Sequence, residues 1–182
     1  MIPARYDPLF YDSIHMRRTA AVAAAKVAAG LSRRFRFGGG TALPGLVAER
    51  IDPEIIGELA SSLGQGSVLV TGTNGKTTTA RLLRNIVHAA GMETVANRAG
   101  SNMMRGIASA LVESAGWDGG LEAGDRKLGV FEVDEATVPE AAWAVRPRVV
   151  LFTNLFRDQL DRYGEVEYVA EVWRKAVATW PK

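Results

Sequence analysis

Thr71-Gly72-Thr73-Asn74-Gly75-Lys76-Thr77-Thr78 joins two glycines, four hydroxyls and one ammonium in eight consecutive residues. The glycines let backbone N–H groups come close to phosphate oxygens. A helix starting behind them would add the positive end of its dipole. Lys76 can reach the β- and γ-phosphates, and the Thr77 hydroxyl can hold Mg²⁺. The expected ligands are ATP and Mg²⁺, gripped by Gly72, Thr73, Asn74, Gly75, Lys76, Thr77 and Thr78. The loop is a short variant. Val70 stands where the longer pattern has its first glycine, and Gly72 opens Gly-Thr-Asn-Gly-Lys-Thr instead.

Three later segments carry chemistry of the same kind. Glu132 sits in Val130-Phe131-Glu132-Val133-Asp134-Glu135, a mostly apolar run. A carboxylate there is costly to bury without a partner, and a metal ion shared with Thr77 would supply one. Asp134 and Glu135 read as loop or cap residues. Asn97-Arg98-Ala99-Gly100-Ser101-Asn102 offers Asn97, Arg98 and Asn102 to a phosphate or a substrate. Thr153-Asn154-Leu155-Phe156-Arg157-Asp158-Gln159-Leu160-Asp161-Arg162-Tyr163-Gly164 is a dense polar cluster after an apolar run. It reads as an active-site loop, with Arg157 facing substrate and Asp158 catalytic beside Lys76 and Glu132. His15 and His88 make no pair, and His88 is expected to be structural. No Ser-His-Asp set and no zinc spacing is present.

The elements that would position these groups alternate. Strands are expected at Ser67–Thr71, Glu93–Asn97, Lys127–Val133 and Arg148–Thr153. Helices are expected at Thr77–Ala90, Arg105–Ala115 and Val166–Thr179, with another starting near Val138-Pro139. In the first of these, Leu82, Leu83, Ile86, Val87 and Ala90 are expected on one apolar side. Strands alternating with helices give an α/β fold, a mostly parallel sheet with flanking helices. Ligands bind at the carboxyl ends of such strands, which is where every segment above falls. A helical and loop segment over 1–64 would precede this ATP-binding domain at 65–182. It holds an Ala-rich helix, Ser13–Leu31, a Gly-rich loop from Phe37 to Gly45, and a helix from Pro53 capped by Asp52.

Composition narrows the class. Hydrophobic residues make up 47% and charged residues 23%, the balance of a soluble globular protein. The net charge of +2 is too mild to argue for nucleic acid. The basic excess is local, at Arg17, Arg18, Lys26, Arg33, Arg34 and Arg36, and suits a polyphosphate or an anionic membrane face equally. With no cysteine, disulfides and thiolate chemistry within the chain are excluded. Ala20–Leu31 is a poor membrane span and a poor signal peptide, so a cytoplasmic location is expected.

The chain resembles the Mur ligase superfamily. The resemblance rests on Gly72–Thr77, on Glu132-Val133, and on the Thr-Asn-Leu…Asp-Gln-Leu-Asp-x-x-Gly run from Thr153 to Gly164. It is nearest to the branch of synthetase subunits that work with a GatD-like glutaminase on lipid II. The resemblance implies that ATP phosphorylates the α-carboxyl of D-glutamate in lipid II. Ammonia from the partner would then give D-isoglutamine, at the inner face of the membrane with peripheral contact. Thr77 and Glu132 would be the metal ligands. Amino-acid-adding relatives have histidine where this chain has Gln159, and a carbamylated lysine where it has Trp173. Those two departures fit ammonia as the acceptor. The resemblance also implies that the central domain is partial here, and that these residues alone make no isoglutamine. Another ligase of the superfamily (folylpolyglutamate synthase-like), a P-loop NTPase without ligase activity, and a noncatalytic binding module are the alternatives.

Overall fold

A computed structural model describes residues 8–35, 42–98, 100–121, 124–156 and 165–178. Among them the chain runs α1 (Pro8–Phe35), α2 (Leu43–Ile51), α3 (Ile55–Ser61), β1 (Ser67–Thr71), α4 (Lys76–Ala89), β2 (Glu93–Val95), α5 (Met104–Ser114), β3 (Lys127–Glu132), α6 (Val138–Val145), β4 (Val149–Phe152) and α7 (Glu165–Ala178). The strands form one sheet in the order β2-β3-β1-β4, and every pair is parallel. The α/β class read from the sequence is the observed one.

Register decides what meets at the sheet's carboxyl edge. Val70 pairs with Glu132 across β1 and β3, and Thr71 pairs with Phe152 across β1 and β4. The residues that follow β1, β3 and β4 therefore come together. Side chains alternate between the two faces, as a strand requires. Leu69 and Phe131 point into a large cluster with α1, α2, α3, α5 and α6, including Val22, Ile55, Ile107, Leu111 and Val138. Val68, Val70 and Val130 point the other way and meet Ala80 and Leu83 of α4.

Three expectations change. The stretch from Leu43 to Ile51 forms α2, where the reading placed the end of a loop. Pro44 sits in its first turn, where a missing N–H is harmless. On α4 the predicted apolar side is divided. Ala80 and Val87 are buried, while Leu82 and Ile86 are 58% and 67% exposed. The expected cap is also displaced: α3 begins at Ile55 with Glu54 at its N-cap, while Asp52 ends α2 and accepts from the Glu54 N–H at 3.2 Å. Among the described residues, no helix is long and apolar enough to cross a membrane.

Candidate functional site

The phosphate loop lies between β1 and α4, and its shape is set by contacts on both sides. Gly72 has φ +132°, and a Cβ there would overlap the Thr153 hydroxyl and stand 2.6 Å from the Asn154 carbonyl oxygen. Only glycine fits so close an approach. Gly75 caps α4 in the left-handed region, φ +83°. The loop turns there and presents the first N–H groups of α4 to the loop's ligand side.

Residues after β4 clamp the loop from outside. The Asn74 N–H donates to Asn154 Oδ1 at 2.9 Å, and Asn154 Nδ2 donates to the Asn74 carbonyl at 2.9 Å. The Thr153 hydroxyl reaches the Asn74 and Thr71 carbonyls at 2.8 and 3.1 Å. The Thr73 N–H donates to the Asn154 carbonyl at 3.1 Å, and the Phe156 N–H donates to Thr73 Oγ1 at 3.0 Å. Thr73, through its hydroxyl and N–H, and Asn74, through its backbone, are thus engaged in holding the loop's form.

Glu132 ends β3 opposite α4. The Thr77 hydroxyl donates to Glu132 Oε2 at 2.7 Å, although the two residues lie 55 apart in sequence. Glu132 is 8% exposed, and its backbone is fixed at both ends by one side chain. Asn97 Oδ1 accepts from the Glu132 N–H at 2.9 Å, while Asn97 Nδ2 donates to the Glu132 carbonyl at 2.8 Å and the Ser101 carbonyl at 2.7 Å. Asn97 is therefore a positioning residue for Glu132. A hydroxyl and a carboxylate in contact form an all-oxygen donor pair. Mg²⁺ suits such a pair, because it takes one or two protein ligands and fills its octahedron with water and phosphate oxygens.

Lys76 does not extend freely into the loop's mouth. Its Nζ bonds the Gly72 carbonyl, stands 3.5 Å from the Thr73 carbonyl, and forms an ion pair with Glu135 Oε1 at 3.4 Å. Glu135 opens a short 3-10 turn, Glu135–Thr137, whose N-cap is Asp134. Asn102 Nδ2 donates to Asp134 Oδ1 at 3.0 Å, and the Asp134 N–H donates to the Asn102 carbonyl at 3.0 Å. Burial, then the neighbouring Glu135, raises the Asp134 carboxyl above its ordinary range, and Lys76 opposes the shift. Trp173 of α7 donates Nε1–H to the Glu135 carbonyl at 2.9 Å and packs on Phe152, with ring centroids 4.6 Å apart.

The structure thus gathers Lys76, Thr77, Glu132, Asn97 and Asn102 at one edge of the sheet. Arg98 stands near them but pairs with Glu113 at 3.3 Å. Thr78 lies in the first turn of α4. Arg157, Asp158 and Gln159 lie outside the described residues. The reading of Asp134 and Glu135 as cap and loop residues missed their link to Lys76. Its one sequence signal was their position directly after the strand that carries Glu132.

Comparison with known proteins agrees with this geometry. Residues 70–178 match the Mur ligase middle domain. The chain is 37% identical over 152 residues to the lipid II isoglutaminyl synthase (glutamine-hydrolyzing) subunit MurT of Staphylococcus aureus strain COL, covering 84% of this chain and 33% of that protein. It is 37% identical over 141 residues to the MurT subunit of Streptococcus pneumoniae strain R6, covering 76% of this chain and 30% of that protein. It is also 37% identical over 97 residues to the UDP-N-acetylmuramoylalanine–D-glutamate ligase of Dinoroseobacter shibae, covering 53% and 18% of the two chains. The chain spans about a third of the length of the MurT subunits it matches. The middle-domain match takes in more than half of the 182 residues, and the chain belongs to the Mur ligase family.

Proposed function

We propose that this chain is the ATP-binding part of the synthetase subunit of a glutamine-dependent lipid II isoglutaminyl synthase. Residues 65–182 carry the nucleotide site, and α1, α2 and α3 brace it. The observation that supports the reading most directly is the Thr77–Glu132 contact beneath the phosphate loop, with Lys76 held beside it. The likeness to the two MurT subunits supplies the acceptor and the nitrogen source.

The chemistry follows from the poor electrophilicity of a carboxylate. An oxygen of the D-glutamate α-carboxylate forms a bond to the γ-phosphorus of ATP, the β–γ bridge breaks, and ADP leaves. Ammonia, released from glutamine by a GatD-like partner, adds to the carbonyl carbon of the acyl phosphate. Phosphate departs, a proton is lost, and the amide of D-isoglutamine remains. Backbone N–H groups of Gly72–Thr78 orient the phosphates. Lys76 leaves its loop carbonyls for the transferring phosphoryl group and offsets the charge that develops there. Mg²⁺, held by Thr77 and Glu132, supplies further charge neutralisation when bound. Glu135 keeps the Lys76 ammonium near the loop, and Asn97 keeps Glu132 in register. Arg157 is assigned to substrate contact and Asp158 to catalysis.

The test is amidation of lipid II by the full-length chain with its glutaminase, ATP and glutamine. Lys76→Ala and Glu132→Ala should each lower turnover by about a hundredfold or more, the range for losing one charge-stabilising group. Unchanged amidation by Lys76→Ala would overturn the mechanism. Stimulation of ATP turnover by an amino acid, rather than by ammonia, would reassign the chain to another ligase of the family. ATP hydrolysis indifferent to muropeptide and glutamine would make it an NTPase without ligase activity.

A further inference from the structure

The Thr77–Glu132 pair itself lines a cavity of about 310 Å³, most of whose other lining residues have no part in the nucleotide site. One wall is a single face of α4. Arg81, Arg84, Asn85 and His88 recur at helical spacing from Thr77 and all line the cavity. Arg98, from the segment after β2, also lines it. The volume falls at the lower end of the range for small-molecule sites, roughly 300–1,000 Å³.

Among the described residues, the two arginines of this wall have no carboxylate partner of their own, although Glu132 also lines the cavity. Arg98 is paired with Glu113. The Glu132 carboxylate accepts from the Thr77 hydroxyl. Among the described residues, no carboxylate lies within ion-pair distance of Arg81 or Arg84. The Nε–H of Arg84 is also buried without an acceptor. A buried guanidinium donor without an acceptor is unfavourable. Two unpaired guanidiniums on successive turns of one helix form a site for an oxyanion. A single carboxylate offers too few acceptor positions for the donors of Arg81, Arg84 and Asn85 together, whereas a diphosphate offers enough.

We propose that this cavity binds the diphosphate of the lipid-linked acceptor and so anchors the substrate beside the reacting carboxyl. The assignment of lipid II as that acceptor rests on the ligase reading above. The anion site itself rests on Arg81 and Arg84. Inorganic phosphate released by the reaction carries the same chemistry, so the test separates the two sources.

The experiment uses the full-length chain with its glutaminase, comparing wild type, Arg81→Gln, and Arg81→Gln/Arg84→Gln. Lipid II and a muropeptide lacking the diphosphate serve as acceptors. For lipid II the double variant should raise KM tenfold or more with kcat within about twofold, and the KM for ATP should not change. For the diphosphate-free acceptor the KM should not move. Arg81→Gln, at an exposed position, should show part of the effect if the double variant folds poorly. Equal KM changes for both acceptors, or none for lipid II, would overturn the proposal.

A second measurement is calorimetry with inorganic pyrophosphate on protein saturated with ADP and Mg²⁺. Wild type should bind it and the double variant should not. Binding that survives in the double variant would overturn the anion site. Arg-dependent binding of orthophosphate as tight as that of pyrophosphate, with an unmoved lipid II KM, would assign the cavity to product phosphate and also overturn the proposal. If wild type fails to amidate lipid II while pyrophosphate binding remains Arg-dependent, the ligase reading falls and the anion site stands.

Discussion

Asp134 shows how one half-buried carboxyl ties the site to pH. Burial and Glu135 raise its folded pKa above the ordinary value of 3.8, with Lys76 only opposing. A raised carboxyl pKa means that the folded state prefers the protonated form. Its stabilising contribution is complete below the unfolded pKa and is lost as pH rises through the folded pKa. Asp134→Asn retains an oxygen to accept from Asn102 and removes the ionisation. The variant should therefore melt higher than wild type at pH 7, and the gap should close as pH falls below about 4, the unfolded value. Thermal melts from pH 3 to pH 8 check this, and a gap that widens toward acid would contradict it. The same cluster shows which residues a sequence reveals. Gly72, Lys76 and Thr77 fall within one run of six residues, and Glu132 stands out as a charge in an apolar strand. Glu135 reaches Lys76 only because β1 and β3 are neighbours, and a single sequence gives no pairing order. Arg81 and Arg84 fall on the Thr77 face by helical spacing alone, but the cavity opposite them depends on the segment after β2.

Elements are legible where their own periodicity decides and obscure where a neighbour decides. β1 and β3 are apolar runs buried by helices on both faces, so their composition announces them. In α2, Pro44 and Gly45 sit in the first turn after a Gly-rich stretch, and composition there argues for loop. The helix is held instead by α5. Gly45 donates its N–H to Ser109 Oγ at 2.8 Å, and its lack of a side chain allows the two helices to touch. A Cβ at Gly45 would overlap the Arg105 carbonyl and stand 2.9 Å from Ser109 Oγ. α5 is buried from Gly106 through Val112 and has no room to retreat. Gly45→Ala should thus destabilise by about 1–3 kcal/mol, the range for overpacking, despite alanine's better helix propensity. Chemical denaturation measures it, and a variant as stable as wild type would mean that α2 can shift away from α5. The two leucine-type positions misread on α4 have the same origin. Leu82 and Ile86 keep helical spacing with Leu83 and Val87, but the sheet meets only the side bearing Ala80, Leu83 and Val87.

Across the whole molecule, the site is a junction of segments far apart in the chain. The phosphate loop follows β1, Glu132 ends β3, the Thr153-Asn154 clamp follows β4, and Trp173 comes from α7. The parallel order β3-β1-β4 is what places these ends side by side. The N-terminal helices contribute from below: Val22 of α1 and Ile55 of α3 share one apolar cluster with Leu69 and Phe131 of the sheet. A ligand that joins the loop, Glu132 and Lys76 should therefore stabilise the cooperative unit as a whole, not only the loop. Binding to the native state alone adds about 2.7 kcal/mol at a ligand concentration of 100 times Kd. For a chain of this size that corresponds to a rise in Tm of about 5–10 °C. ATP with Mg²⁺ should raise the Tm of wild type by that order. The rise should shrink with Glu132→Ala, which removes the carboxylate beneath the loop, and nearly vanish with Lys76→Ala. Circular dichroism at the helical band reads the whole fold, while fluorescence of Trp173, beside Glu135, reports on the site once Trp117, Trp143 and Trp180 are replaced by phenylalanine. Coincident transitions from the two probes, moving together with nucleotide, are the expected result. A shift in fluorescence without one in circular dichroism would mean that the loop and its clamp melt apart from the helices that support them.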